Sequence, residues 1–193
     1  MRRLGIFGAA ALLALSLAAP ASAAERVRES GTFYQFSSGS FVCSGNTCTD
    51  TFVDAFSIGN DTLLVCYNTF TYNARTGRSV SSEGGCAETG DSALRISSNF
   101  TVTLAPTDIP VFSCNQRRCT EVGTVTVSAT DTPIGPVQTA TGRVTIKDGT
   151  CTIRISFTDR FAQVGGTMTI DGVSIDQTGF AVESDQTMTT TCR

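Results

Sequence analysis

The sequence of 193 residues contains no histidine and no tryptophan. The missing histidine excludes a Ser-His-Asp or Cys-His nucleophilic site, a histidine acid–base step near neutral pH and a histidine-ligated zinc. Lysine is scarce as well, because Lys147 is the one lysine among 14 basic residues. The sequence therefore predicts no catalytic residue, no cofactor and no metal, and it leaves a carboxylate-based enzyme as an alternative.

Long apolar runs and helical periodicity are missing beyond the first 23 residues. Residues 1–23 have the pattern of a secretory signal peptide: Arg2 and Arg3 are basic, residues 4–19 are apolar, and Ala21-Ser22-Ala23 is a small-residue cleavage motif. We expect this segment to be removed. The remaining chain is predicted to be secreted, extracellular and without a membrane span.

Positive charge is in deficit. Without Arg2 and Arg3 the chain has 12 basic and 17 acidic residues, so its net charge is 12 − 17 = −5. Polyanion binding requires a concentrated basic surface. Along the sequence the basic residues are scattered, apart from the pair Arg117-Arg118. We therefore expect no nucleic-acid partner.

Cysteine is abundant. Eight cysteines behind a signal peptide predict four disulfides, at Cys43, Cys48, Cys66, Cys86, Cys114, Cys119, Cys151 and Cys192. Two pairs have the spacing C-x4-C, and a short hairpin places such residues opposite one another. The predicted local pairs are therefore Cys43–Cys48 and Cys114–Cys119. The simplest pairing of the others is Cys66–Cys86 and Cys151–Cys192.

Two Asp-Gly dipeptides, at Asp148-Gly149 and Asp171-Gly172, predict β-hairpins with two-residue turns. A turn at 148–149 places Ile146 opposite Cys151. Side chains alternate along each strand, so the first hairpin has one apolar face and one polar face. The apolar face comprises Val144, Ile146, Cys151, Ile153, Ile155 and Phe157, and the polar face comprises Arg143, Thr145, Lys147, Thr152, Arg154 and Ser156. We expect the apolar face to point into the core.

Strand patterns fill most of the remaining chain. They predict strands at 51–58, 62–72, 92–104, 120–130 and 179–192, with Pro106 and Pro110 ending the third. Residues 24–30 are predicted to be frayed and residues 73–90 to form a loop. About ten to twelve short strands predict an all-β protein, and we favour a disulfide-stapled antiparallel β-sandwich over a barrel.

The predicted mature chain, 24–193, has the size of a single domain. The C-x4-C spacing occurs twice, and two further cysteines follow each occurrence. An internal duplication with halves 31–105 and 106–193 would explain this pattern, and coincidence is the alternative.

The most distinctive candidate binding segment is the disulfide-closed loop Asn115, Gln116, Arg117 and Arg118. A closed loop loses little entropy on binding, and paired arginines suit carboxylates or the acidic pocket of a trypsin-like protease. The alternative is a solvated turn. Two further candidates are a sugar-stacking platform of Tyr34, Tyr67 and Tyr72, and a carboxylate pair that includes a buried Asp54.

These features favour a secreted, non-catalytic binding or interaction module for an extracellular protein or glycan. The alternatives are an extracellular protease inhibitor that uses the Cys114–Cys119 loop and a carboxylate-based glycan hydrolase.

Overall fold

A computed structural model describes residues 26–59, 61–114 and 118–192. The predicted signal peptide lies outside these residues. The described chain forms ten strands and one short 3-10 helix at Asp91–Ala93. The strands are β1 (Arg26–Ser44), β2 (Thr47–Gly59), β3 (Thr62–Asn73), β4 (Ser79–Gly90), β5 (Leu94–Ile96), β6 (Val102–Cys114), β7 (Cys119–Pro133), β8 (Gln138–Asp148), β9 (Cys151–Ile170) and β10 (Val173–Cys192).

All strand pairs are antiparallel, and eight strands form a closed cycle in the order β1-β2-β3-β4-β6-β7-β9-β10, with β10 paired back to β1. β5 pairs with β6 and β8 pairs with β9. The all-β, disulfide-bonded fold is confirmed, whereas the two facing layers of a sandwich and the internal duplication stay predictions. Within the described ranges, no helix has the length and apolar character that a membrane crossing requires.

The interior of the cycle holds one apolar cluster, which includes Phe36, Val53, Leu63, Phe100, Leu104, Ile109, Val127, Val164 and Met168. In β2 the buried side chains include Val53 and Ala55, while Phe52 on the opposite face is 38% exposed. Its ring lies over Gly39 of the neighbouring strand, where a Cβ would collide with it. Some of the large aromatic side chains therefore cover glycines on the outer surface instead of filling the core.

Four disulfides join the pairs that the cysteine spacing predicts. Cys43–Cys48 closes the β1–β2 hairpin and Cys114–Cys119 closes the β6–β7 hairpin. Cys66–Cys86 links β3 to β4, and Cys151–Cys192 links β9 to β10. In every case the two cysteines are register partners on neighbouring strands.

The two Asp-Gly dipeptides form different turns. At the second, Ile170 pairs with Val173, and both Asp171 and Gly172 have positive φ, as a type I′ turn requires. At the first, Asp148 pairs with Cys151, so the turn residues are Gly149 and Thr150. Of these, only Gly149 has positive φ, which fits a type II′ turn with glycine first. The predicted register, with Ile146 opposite Cys151, is therefore wrong, and Ile146 pairs with Ile153.

Three further strand predictions need correction. Residues 26–30 are not frayed, because they belong to β1 and pair with 187–191 of β10. Residues 79–90 are not loop but strand β4, in which Gly85 lies against the Pro110 carbonyl. The predicted strand 92–104 is divided at residues 97–101 into β5 and β6, and the prolines do not end it. β6 runs through both: Pro106 lies at a register shift between Leu104 and Thr107, and Pro110 pairs in register with Thr124. Local composition indicated a loop and two breaks, but pairing with distant strands decided the outcome.

A polar cluster lies buried inside the cycle. The Asp131 carboxylate, which is 0% exposed, accepts hydrogen bonds from Gln177 Nε2 at 2.8 Å and from Ser38 Oγ at 3.2 Å. Gly166 makes room between these groups, since a Cβ there would meet Asp131 Oδ1. Burial raises the pKa of Asp131, and the two hydrogen bonds oppose that rise. Gln177 Oε1 has no partner among the described residues.

Part of the sheet continues beyond the cycle. It consists of β8, residues 151–161 of β9, residues 183–192 of β10 and residues 26–34 of β1, paired in that order. We call this four-stranded part the extension. The other strands pair with β9 at 164–170 and with β1 at 35–44, so they end where the extension begins.

The two faces of the extension are opposite to those expected. In β9 the side chains that fill the cycle are even-numbered, as Ala162, Val164 and Met168 show. The same alternation continues into 151–161, so Arg154 lies on the inner face and Ile155 on the outer face. The predicted apolar face therefore points away from the core side, and Val144 and Ile146 on it are each 45% exposed. Alternation groups residues by face, but it does not show on which side the core lies.

Candidate functional site

The structure separates the sequence-predicted site residues. Asn115, Gln116 and Arg117 lie outside the described residues, and Arg118 is exposed beside the Cys114–Cys119 disulfide. The recognition and inhibitor roles of this loop therefore stay predictions.

The three tyrosines do not form a common platform. Tyr67 is buried in the interior of the cycle, and burial raises its pKa. Tyr72 lies on the outer surface, where it stacks on Phe41 with ring centroids 6.3 Å apart. Tyr34 is half-buried where the extension leaves the cycle, so each phenol occupies a different place.

Several carboxylates of the described strands each accept a hydrogen bond from a neighbouring side chain, so they are held apart from one another. Asp54 lies on the outer face of β2, not in the core, and accepts from Ser37 Oγ at 2.5 Å. Asp159 accepts from Ser184 Oγ, also at 2.5 Å. Within the described ranges, no group of three or more cysteine, aspartate and glutamate side chains is placed to hold a metal ion.

A charged cluster marks the base of the extension. Arg160 Nη1 lies 2.7 Å from Glu183 Oε2, and its Nη2 donates to the Ser98 carbonyl. The Arg160 guanidinium also lies 5.3 Å from the centre of the Phe100 ring. Beside it, Tyr34 has a raised pKa, first because of burial and then because of Glu183. The cluster fixes the 97–101 turn against β9, so its role in the fold is structural.

Beyond that cluster, strand register gathers basic residues that are far apart in sequence. Arg26 and Arg28 of β1, Arg154 of β9, and Arg143 and Lys147 of β8 all lie on the inner face of the extension. All five are exposed. These residues are scattered along the chain, but the fold brings them together into a basic surface. The expectation that no nucleic acid binds stays a prediction.

Hydroxyl side chains occupy all the other positions among these cations. Three successive rows cross the four strands: Arg26-Thr191-Thr152-Lys147, Arg28-Thr189-Arg154-Thr145 and Ser30-Thr187-Ser156-Arg143. We call these twelve residues the basic face. Every position is either a cation or a hydroxyl, and none of the twelve side chains has a hydrogen-bond or ion-pair partner among the described residues.

Acidic residues border the basic face on the side of the cycle. The next row contains Asp185, which accepts from Thr32 Oγ1 at 2.7 Å, and the row after it contains the Arg160–Glu183 pair. A cleft of about 440 Å³ opens along this border, lined by Ser30, Thr187, Ser156, Thr32, Asp185 and Thr158. An anionic ligand is therefore favoured on the outer three rows and repelled at the fourth.

Three of the five cations were recognisable from sequence, because hairpin alternation places Arg143, Lys147 and Arg154 on one face. Arg26 and Arg28 were missed, because their position depends on the pairing of the two ends of the described chain. Neither the protein families, nor the curated proteins, nor the solved structures searched contain a match to this chain.

Proposed function

We propose that the protein is a secreted, non-catalytic binding module that holds an anionic extracellular ligand on the basic face. The observation that carries this proposal is the set of five exposed cations without partners among the described residues, placed on one face of four strands. Four disulfides suit an oxidising compartment, and they support a role outside the cytoplasm.

The charge distribution strengthens this proposal. The predicted mature chain carries 12 basic and 17 acidic residues, yet five of the basic residues lie within three rows that contain no acidic residue. Such a local excess of positive charge produces a positive potential over the basic face, although the chain as a whole is acidic. Ligand binding would then depend on salt, because exposed charges are screened over about 10 Å at moderate ionic strength.

Chromatography tests the proposal directly. At neutral pH an acidic protein is not expected to bind a sulfonated resin unless a local basic surface holds it. We expect the mature protein to be retained at low salt, and the Arg28→Gln/Arg154→Gln variant to elute in the flow-through. A matched control, Arg75→Gln/Arg78→Gln, removes the same charge from the exposed turn between β3 and β4 and should be retained. Equal behaviour of the two variants would contradict the proposal.

A further inference from the structure

The chemistry of the basic face restricts the class of its ligand. Seven of the twelve side chains are hydroxyls, namely Thr191, Thr152, Thr189, Thr145, Ser30, Thr187 and Ser156. Hydroxyls both donate and accept, whereas the cations only donate. Because none of these groups has a partner among the described residues, the face offers mixed hydrogen bonds between fixed positive charges. This pattern suits a ligand that carries both anionic groups and hydroxyl groups.

The dimensions of the face exclude the groove of a nucleic-acid duplex. Four strands span about 14 Å between their outer axes, and the three rows span about 13 Å along them. The major groove of B-DNA is about 12 Å wide and admits a two-stranded ribbon or one helix. A four-stranded sheet, with arginine side chains added, is too wide to enter it.

The composition of the face also disfavours single-stranded nucleic acid and a lipid bilayer. Proteins that bind single strands stack bases on aromatic side chains, and none of the twelve residues is aromatic. Interfacial membrane binding combines cations with apolar side chains that enter the acyl region. None of the twelve is apolar, and the exposed apolar residues Val144 and Ile146 point to the opposite face.

We infer that the ligand is a linear anionic polysaccharide, with sulfate or carboxylate groups on the five cations and sugar hydroxyls on the threonine and serine side chains between them. This inference rests on the proposed function. The acidic fourth row, with Asp185, limits the ligand to the outer part of the extension. The polymer therefore crosses the strands along the rows instead of running into the cycle.

Binding of the mature protein to five probes at equal charge concentration tests the inference: a heparin-type sulfated polysaccharide, polygalacturonate, polyphosphate, single-stranded DNA and phosphatidylglycerol vesicles. We expect the tightest binding to one of the two polysaccharides. Arg28→Gln/Arg154→Gln should weaken it by about tenfold, since each exposed ion pair contributes up to about 1 kcal/mol. The Arg75→Gln/Arg78→Gln control should leave the affinity unchanged.

The hydroxyl contribution has its own variant. Thr189→Val keeps the shape of the side chain between Arg28 and Arg154 and removes its hydroxyl. We expect a larger loss of polysaccharide binding than of polyphosphate binding, because a sugar hydroxyl both donates to and accepts from Thr189, whereas a phosphate oxygen only accepts. Equal effects on both probes, or none, would contradict the hydroxyl contacts. An unchanged unfolding midpoint of each variant shows that the fold is intact.

Two outcomes separate this inference from the proposed function. If polyphosphate, DNA or vesicles bind more tightly than both polysaccharides and the Arg28→Gln/Arg154→Gln variant abolishes that binding, the polysaccharide inference is overturned and the proposed function stands. If no probe shows binding that depends on Arg28 and Arg154, both are overturned.

Discussion

The buried carboxylate of Asp131 makes a quantitative prediction about stability. Its charged form is 0% exposed and is held by two hydrogen bonds, from Gln177 and Ser38. Burial of an ionised carboxylate costs several kcal/mol, and each hydrogen bond to a charged group returns about 1.5–3 kcal/mol. The raised pKa of Asp131 shows that burial has the larger effect. Ionisation of Asp131 is therefore less favourable in the folded chain than in the unfolded chain, and this difference lowers stability at pH values above the ordinary pKa.

Asp131→Asn removes that charge and keeps the side-chain shape. The introduced amide has one acceptor for Gln177 Nε2 and one donor for Ser38 Oγ, so both contacts persist. We expect the variant to be more stable than wild type at neutral pH by about 1 kcal/mol. Asp131→Ala leaves both partners unpaired and opens a cavity, so we expect it to lose about 2–4 kcal/mol.

The pH dependence gives the sharper readout. A carboxyl group whose folded pKa lies above its unfolded value favours folding while it is protonated. Its contribution to stability therefore falls as the pH rises from the ordinary value of 3.8 through the raised pKa, and is constant above it. Denaturant unfolding at a series of pH values should show this fall in wild type and not in Asp131→Asn.

A matched control is Asp108→Asn, because Asp108 is exposed in β6 and accepts one hydrogen bond, from Thr126 Oγ1. We expect this control to stay within about 0.5 kcal/mol of wild type and to keep the wild-type pH profile. Should Asp131→Asn be less stable than wild type at neutral pH with an unaltered pH profile, the carboxylate would be a net stabilising group and the reasoning would fail.

Three more predictions concern the fold and the charged cluster. Gly85→Ala forces a Cβ against the Pro110 carbonyl and should lower the free energy of unfolding in urea by about 1–3 kcal/mol. The control Gly135→Ala adds a Cβ in open space and should leave stability unchanged. Equal urea midpoints for the two variants would count against the close approach at Gly85. Replacing Cys151 and Cys192 by serine should lower the free energy of unfolding by about 4 kcal/mol, and replacing Cys43 and Cys48 should lower it by about 2 kcal/mol. The first loss is larger because the Cys151–Cys192 disulfide closes the longer loop. Calorimetry that reverses this order would contradict the entropic account. Glu183→Gln should lower the pKa of Tyr34 without restoring its ordinary value, because burial is the larger cause of the raised pKa. The phenolate titration is assigned to Tyr34 by comparison with Tyr34→Phe. A titration that is unchanged in Glu183→Gln would rule out the electrostatic contribution.

Local sequence patterns predicted much of this fold. Cysteine spacing predicted all four disulfides, and alternation assigned Arg143, Lys147 and Arg154 to one face. Both signals act over short distances or through one hairpin. Pairing between the ends of the described chain has no local signal, so Arg26 and Arg28 were assigned to a frayed segment.

Burial was harder to predict than strand position. In β7, every second residue from Val125 to Asp131 lies on the same face of the strand. The apolar residues Val125, Val127 and Ala129 on that face were the sequence signal that Asp131 is buried. In β2, small Val53 and Ala55 fill the interior while Phe52 covers Gly39 on the outside. Hydrophobicity alone assigns the larger residue to the core, but in β2 the interior position beside Phe36 is occupied by the small Ala55.

The placement of the disulfides has a consequence for association between molecules. Each disulfide joins neighbouring strands within one of two four-stranded groups, β1 to β4 or β6, β7, β9 and β10. The groups meet through fourteen register pairs between β1 and β10 but through two between β4 and β6. Separation at the β4–β6 contact requires no covalent change and leaves β1 paired with β10, so two oxidised copies that open there are able to pair β4 of one copy with β6 of the other and close as a dimer. At high protein concentration such a species would survive non-reducing conditions that are usually taken to lock a monomer.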